Sequence, residues 1–450
     1  MNDELKIKNN ELGGKMNYRY RTDDEMKDSG VEWIGKIPKK WSRVRVGHLC
    51  EIGRGRVISS EEIMDNTGLY PVYSSQTKDN GVMGYINTYD FQGEYVTWTT
   101  DGANAGTVFK RNGKFNCTNV CGTLKNRSKE LDLSFLAYAL SIETKPYVRL
   151  DINPKLMNNE MSNIKVCITK NYEQRKIAKF LDEKTAQFDS IISKKEALIE
   201  KLEEAKKSLI SEVVTGKVRV VKTNDGYELV ERKKEEMKDS GVEWLGDIPK
   251  EWSTTKLKLK TSQINRGKSP EYVDNSNIKV INQACIYWDE FKFKNVKYQD
   301  ESIKSERGKL YKNDILINST GTGTLGRANI FYEEGEYIVD SHVTIIRCLD
   351  EEYSRYINKV LRTDLYQGLI YSTMVTGSTN QIELSREGLR NMIVLDLSKE
   401  ELININNLLE VKINDINSTI IKSHLQIEKL KEAKLSLISE AVTGKIEILD

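Results

Sequence analysis

MKDSGVEWIGKIPKKW, residues 26–41, returns as MKDSGVEWLGDIPKEW, residues 237–252. A second stretch is duplicated in the same order: KKEALIEKLEEAKKSLISEVVTGKV (194–218) returns as KSHLQIEKLKEAKLSLISEAVTGKI (422–446). The chain is thus one plan written twice, an opening tag, a variable body and a long charged helix. Solenoid repeats have periods of roughly 20–50 residues, far shorter than this one. The pattern therefore predicts a duplicated domain pair with pseudo-twofold character.

The balance of 69 Lys and Arg against 67 Asp and Glu leaves a net charge of +2. No global basicity marks a nucleic-acid binder, so any such contact must come from local patches and hydrogen-bonding loops. The 38% hydrophobic content is enough for cores in the bodies, and much of the 30% charged content falls in the two helices. Residues 1–25 read as a polar extension without the apolar centre of a signal peptide. No apolar run approaches the ~18 residues of a membrane span, and a cytoplasmic location without membrane contact is expected. Cys50, Cys117, Cys121, Cys167, Cys285 and Cys348 include one close pair and no second pair to complete a zinc pattern. They read as buried, reduced thiols.

The expected class is α+β, with two tandem mixed α/β domains, each followed by a long helix. Residues 26–168 form the first domain with its tag, and 169–216 the first long helix. A charged linker follows at 217–236, with a turn at Asn224-Asp225-Gly226. Residues 237–397 form the second domain with its tag, and 398–450 the second long helix and tail. In the first body, strands are predicted at 82–86 and 94–99, and a helix at 131–142. A hairpin is predicted at 107–117 around a type I′ Asn112-Gly113 turn. In the second body, 314–320 reads as a strand and 328–340 as the counterpart hairpin, while 384–391 corresponds to 156–163. The tag tryptophans Trp33, Trp41, Trp244 and Trp252 either pin the domain entrance to its own body or offer a partner surface.

The first helix shows an apolar seam at Leu181, Phe188, Ile192, Leu198, Leu202, Ala205, Leu209 and Val213. The second shows one at Leu409, Ile413, Ile416, Ile420, Ile427, Leu430, Ala433, Leu437 and Ala441. A helix of some 44 residues is about 65 Å long, and one seam of that length needs a partner. The two helices are expected to pair as an antiparallel coiled coil. Lys195 falls on the first seam near its middle, and its counterpart by repeat spacing is Ser423. An antiparallel pair places these two polar residues at the crossing, where they limit register slips.

Gly321-Thr322-Gly323-Thr324-Leu325-Gly326 fits G-x-G-x-x-G, but a strand rather than a helix is read after it, so a dinucleotide site is not expected. His48, His342 and His424 are too dispersed for a metal site or a triad, and Asn153-Pro154-Lys155 fails the N-P-P-[FY] pattern of adenine methyltransferases. The loops instead carry side chains suited to reading DNA. In the first body these are Arg54, Arg56, Ser74, Ser75, Gln76, Thr77, Lys78, Asn80, Thr99, Thr100, Asp101 and Asn104. In the second they are Arg266, Lys268, Asn282, Gln283, Asn318, Ser319, Thr320, Thr322, Thr324, Arg327, Ser378, Thr379, Asn380 and Gln381. Arg and Lys suit guanine edges and phosphates, and Asn and Gln suit adenine edges.

The duplicated tag, the Glu173-Gln174-Arg175-Lys176-Ile177-Ala178 helix opening and the EKLEEAKKSLISEVVTGK closing stretch resemble the specificity subunit of type I restriction-modification systems. The resemblance covers almost the whole chain from about residue 20. Residues 70–86 and 314–332 look like parts of two different target recognition domains. Where the first helix opens Glu173-Gln174-Arg175-Lys176, the second has Glu400-Glu401-Leu402-Ile403, a departure from the pattern. The resemblance implies that each body reads one half of a bipartite, asymmetric double-stranded DNA target and that the paired helices set the spacer. It also implies two docked methyltransferase subunits that bind S-adenosylmethionine, and nuclease–translocase subunits drawing on ATP and Mg2+ where a system has them. This chain would hold no catalytic site, no metal and no cofactor of its own. A coiled-coil scaffold without DNA reading, and an enzyme with an unrecognised site, are the alternatives.

Replacing Lys195 and Ser423 together with leucine is expected to leave the helix pair folded but to admit alternative registers, seen as a spread of inter-helix cysteine cross-links. Cross-links indicating parallel helices would contradict the pairing.

Overall fold

The computed structural model describes residues 18–150, 153–303, 306–377 and 382–449. They form two compact units, Met1–Glu196 with Ser423–Asp450, and Ala197–Lys422. Each unit takes its tag and body from one repeat and the closing part of a long helix from the other.

The body of the first unit is built on two four-stranded sheets. One runs in the order Val108–Arg111, Tyr95–Thr99, Cys121–Asn126, Cys50–Arg54. The other runs Val82–Ile86, Thr67–Tyr73, Lys114–Cys117, Phe91–Gln92. Leu133–Glu143 is helical because Asp132 caps it, its carboxylate accepting from the Phe135 N–H at 2.9 Å. Phe135, Leu136 and Leu140 from this helix are fully buried.

The second unit repeats the plan. One sheet runs Thr261–Arg266, Val343–Cys348, Ile315–Asn318, Ala328–Ile330. The other runs Tyr272–Val273, Lys297–Gln299, Ile278–Ile281, Tyr337–Val339. The helix Glu351–Leu361 is capped by Asp350.

The two expected hairpins are corrected by this topology. Val108–Arg111 pairs with Tyr95–Thr99, whereas Lys114–Cys117 crosses to the other sheet and runs parallel to Thr67–Tyr73. Ala328–Ile330 and Tyr337–Val339 part in the same way, the latter running parallel to Ile278–Ile281. Gly113 is left-handed (φ 94°) but Asn112 is not, so no type I′ turn forms. Phe115, Asn116 and Cys117, like Tyr337, Ile338 and Val339, are buried in succession. A short strand buried on both faces pairs where tertiary burial places it, and local turn chemistry does not choose the partner.

The long helices span Asn171–Val214 and Lys399–Val442. In the first unit, Lys434 Nζ reaches both carboxylate oxygens of Asp189 at 2.6 and 2.7 Å, and Lys195 Nζ donates to Gln426 Oε1 at 2.6 Å. Numbers rise on one helix as they fall on the other, so the pair is antiparallel. In the second unit, Lys206 Nζ donates to Asn417 Oδ1 at 3.1 Å. Lys206 and Lys434 are the same lysine of the duplicated closing stretch. Asp189 and Asn417 likewise match, in Phe188-Asp189-Ser190 and Ile416-Asn417-Ser418. Each unit thus contains the same contact with the helices' roles exchanged. Lys195 meets Gln426, three residues beyond the buried Ser423.

Leu181, Phe188, Ile192, Leu409, Ile420, Leu430 and Leu437 are buried as seam residues should be, and Leu202, Leu209 and Ile416 are half-buried. Leu198 and Ala205 instead face outward. Lys206, with a side chain only 8% exposed, takes the inward place. Its long apolar stem serves as seam while Nζ meets Asn417 and the carboxylate of Glu203 at 2.8 Å.

The two duplicated stretches meet inside each unit. The second helix ends at Gly444 (φ +71°), where a Cβ would lie 2.5 Å from Pro38 and 3.1 Å from Trp41. The first helix ends at Gly216 (φ +75°), where a Cβ would lie 2.5 Å from Pro249 and 2.7 Å from Trp252. The Lys217 and Lys445 N–H groups return to the carbonyls of Glu212 and Glu440, at 2.9 and 2.8 Å, closing each helix on a left-handed glycine. Trp41 and Trp252 are buried, so they pin the tag within its unit. Trp33 is largely exposed, edge-on to Tyr147, and Trp244 lies edge-on to Tyr366.

Two further contacts recur. Arg21 pairs with Glu173 at 2.8 Å, and Arg232 lies 3.7 Å from Glu401. The counterpart of Glu173 is therefore Glu401, one residue later than the opening comparison of the helices suggests. Buried Gln174 hydrogen-bonds Asp132, Glu130 and Thr169, where the second helix has buried Leu402. In the charged segment 217–236, Val218–Thr223 pairs with Gly226–Glu231. In the first unit Tyr18–Tyr20 pairs with Ile446–Ile448.

Gly216→Ala is expected to destabilise the chain by about 2–4 kcal/mol, combining left-handed strain with overpacking against Trp252. Gly241→Ala, at a left-handed glycine facing open space, should cost about 1–2 kcal/mol from strain alone. Denaturant unfolding of both variants measures the difference, and equal losses would contradict the close helix-end packing.

Candidate nucleic-acid interface

The first-body strand Cys50–Arg54 runs out into Gly55, whose N–H donates to the Cys121 carbonyl at 3.0 Å. A Cβ on Gly55 would lie 2.2 and 2.3 Å from the carbonyl oxygens of Cys117 and Thr118. On Gly267 it would lie 2.0 and 2.4 Å from those of Val339 and Asp340. Neither glycine is left-handed; each is there because backbone passes against backbone. Arg54-Gly55-Arg56 and Arg266-Gly267-Lys268 therefore leave matching places in the two bodies.

Three further strand ends converge there. Thr100 N–H donates to Val120 O at 2.9 Å and Thr100 O accepts from Leu156 N–H at 2.9 Å. In the second body, Ser319 N–H donates to His342 O at 2.8 Å and Ser319 O accepts from Leu384 N–H at 2.8 Å. These bonds equate Thr100 with Ser319, Val120 with His342, and Leu156 with Leu384. One residue outward, Asp101 bridges Lys155 and Thr320 bridges Glu383. The loops after them close alike, Gly106 N–H onto Thr99 O (2.8 Å) and Gly326 N–H onto Asn318 O (2.9 Å).

The frames match but their side chains differ. In the first body Arg54 lies 3.4 Å from Asp101, with Lys155 on the facing segment. In the second body Arg266 lies 3.1 Å from Glu383, with Thr320 opposite. The carboxylate facing the arginine thus comes from a different segment in each. Arg56 is held by Asp90 at 3.0 Å and Glu62 at 2.6 Å, and these bonds, Glu62's foremost, raise its pKa. Thr320 Oγ1 lies 2.8 Å from the exposed His342 Nδ1, and the His342 N–H donates to Asp340 at 2.9 Å. Burial raises the Asp340 carboxyl, against that N–H bond.

Gln76, Thr77, Lys78 and Asn80 are exposed on one loop, with Ser74 and Ser75 half-buried at its base. Asn104 Nδ2 donates to Ser75 O at 2.9 Å, tying that loop to the one after Asp101. Lys268 and Thr322 are exposed, and Gln283, Thr320, Thr324 and Arg327 are half-buried around the second frame. Thr99, Thr100, Asn282, Asn318 and Ser319 are buried. Their side chains hold the frame: Asn282 bonds Asn295 O, Asn318 bonds Gln283 O, and Ser319 bonds Thr344. Ser378, Thr379, Asn380 and Gln381 lie outside the described residues. Gly321, Gly323 and Gly326 are all left-handed, and the strand Ala328–Ile330 follows them as expected. Among the described residues no three His, Cys, Asp or Glu side chains converge as a metal site, and no helix is long and apolar enough to cross a membrane.

Lys155, His342 and Glu383 belong to the frames but not to the residues singled out from sequence. No sequence signal marks His342, because its equivalence to Val120 comes from the matching Thr100 and Ser319 hydrogen bonds. A histidine weighed only as a metal ligand or triad member is passed over.

Residues 38–204 match the family described as "Type I restriction modification DNA specificity domain". The chain is 50% identical over 138 residues, 30% of its own length, to "Putative type I specificity subunit S.MpnORF507P" of Mycoplasma pneumoniae, and spans 38% of that protein. It is 50% identical over 139 residues, 31% of its length, to "Putative type I specificity subunit S.MpnORF289P N-terminus" of the same organism, and spans 74% of it. A solved chain described under "complex assembly" and "conformational transition of the type I R-M system" has the same fold. Its TM-score is 0.65 at 13% identity, covering 91% of this chain and 99% of that one. The chain belongs to the family of type I restriction-modification specificity subunits.

Proposed function

We propose that the chain supplies DNA sequence specificity to a type I restriction-modification complex, each body reading one half of a bipartite, asymmetric target. One observation carries this reading: the two bodies present the same frame of strand ends with different side chains on it. Arg54, Asp101 and Lys155 stand in one where Arg266, Thr320 and Glu383 stand in the other. Identical frames suit the same groove geometry, and a changed donor and acceptor pattern suits a different set of bases. With a net charge of only +2, partners are expected to complete the grip on phosphates.

The partners in this reading are double-stranded DNA, two methyltransferase subunits and, where a system has them, nuclease–translocase subunits. S-adenosylmethionine is bound by the methyltransferase, and ATP and Mg2+ by the translocase. This chain contributes recognition rather than catalysis, and works in the cytoplasm where the DNA is. The antiparallel helices set the unread spacer. A helix of 44 residues is about 65 Å long, enough to bridge half-sites one turn of DNA apart, about 34 Å.

Exchanging residues 42–168 for the corresponding body of another family member is expected to change one half of the methylated motif and leave the other half and the spacer as they were. A change in both halves would refute the division of labour. Inserting one short repeat unit, about four residues or one helical turn, into the middle of each long helix is expected to widen the spacer with both half-sites kept. An unchanged spacer in the mapped motif would refute the helices as its measure.

A further inference from the structure

Among the described residues of the first body, Arg111 is a buried cation with no carboxylate to receive it. Arg111 is 2% exposed, and the titratable groups beside it are the Tyr73 phenol and the Cys117 and Cys121 thiols rather than carboxylates. Its guanidinium stacks 3.6 Å from the Tyr73 ring centre and 4.3 Å from that of Phe109. Nε donates to Thr97 Oγ1 at 3.1 Å, and Nη1 donates to the Asn80 carbonyl at 2.8 Å. Burying a charge without an ion partner is unfavourable, and burial lowers the pKa here.

The fold does not require a cation at this place. Arg111 pairs with Tyr95 across its sheet; in the second body Phe331 holds the matching position, its N–H bonded to Asp314 O at 2.8 Å. Phe331 is 1% exposed. An apolar side chain fills the site in one body and a desolvated guanidinium in the other, so the cation answers to something peculiar to the first body.

That feature is the turn above it. Asp79, Asn80 and Gly81 are left-handed in succession, with φ of 49°, 54° and 80°. The first two have side chains, and although Asp and Asn tolerate this conformation better than other such residues, it suits them less than glycine. The Ser74 N–H bond to Gly81 O (3.0 Å) closes the loop, and the Arg111 bond falls on the carbonyl of its second strained residue. The same loop displays Gln76, Thr77 and Lys78 to solvent.

We propose that Arg111 is a positioning residue for specificity: it fixes the left-handed turn at 79–81 and so sets the exposed side chains of the 74–80 loop for base readout. This rests on the DNA-reading role proposed above.

The test uses the full chain assembled with its methyltransferase. Methylation rates are compared on the target duplex and on duplexes with single-base changes in either half-site. Arg111→Met is expected to lower discrimination in the half-site read by the first body about tenfold, the scale of one lost base contact, and to leave the other half-site unchanged. A second pair of variants alters only the exposed turn. Asp79→Ala with Asn80→Ala raises the strain, whereas Asp79→Gly with Asn80→Gly removes it. The glycine pair should discriminate at least about fivefold better than the alanine pair in that half-site. If Arg111→Met fails to assemble, this comparison decides. Full discrimination in Arg111→Met, equal loss in both half-sites, or a glycine pair no better than the alanine pair would each overturn the positioning role. A wild-type chain that gives its methyltransferase no discrimination would overturn the DNA-reading role, and this proposal with it.

Discussion

Each long helix stops on a glycine that no other residue can replace without moving a tryptophan. Gly444 turns left-handed against Pro38 and Trp41, and Gly216 against Pro249 and Trp252. The contact joins the two duplicated stretches, since in each unit the tag of one repeat seats on the helix end of the other. The ring excludes a Cβ, the glycine permits the left-handed turn, and the turn returns an N–H to a helix carbonyl. The arrangement explains why tag and helix end are preserved together through the duplication while the bodies diverge. Changing either side alone breaks a buried fit.

A second constraint acts where the strand ends gather. Gly55 and Gly267 lie so close to neighbouring carbonyls that a Cβ at either place would meet backbone. Matching frames of that kind let exposed side chains vary on the same attachment points. The exchange of Asp101 and Lys155 for Thr320 and Glu383 is variation of this sort. In the DNA-reading role proposed above, specificity can then change in one body while the other keeps its target.

Much of this was legible in the sequence because duplication and helical periodicity are strong signals. The 44-residue helices, their pairing and the correspondence of 156–163 with 384–391 follow from repeats and spacing. The hairpins at 107–117 and 328–340 were not legible. Their turn residues specify a reversal, but burial on both faces sends the arms to different sheets. Lys206 eluded the seam reading because a lysine's apolar stem behaves as core while its charge is met by Asn417 and Glu203. Among the candidate loop residues, residue type did not tell which side chains face outward. Thr99, Thr100 and Ser319 are as polar as their neighbours, and only the sheet places them inside.

The central claim is that this chain decides where a methyltransferase acts. It is tested most directly by a genome-wide map of N6-methyladenine in cells carrying the chain with the methyltransferase proposed as its partner, and again with the chain deleted. The account predicts a bipartite, asymmetric motif present in the first map and absent from the second. A motif that survives deletion, or methylation that never depends on the chain, would contradict it.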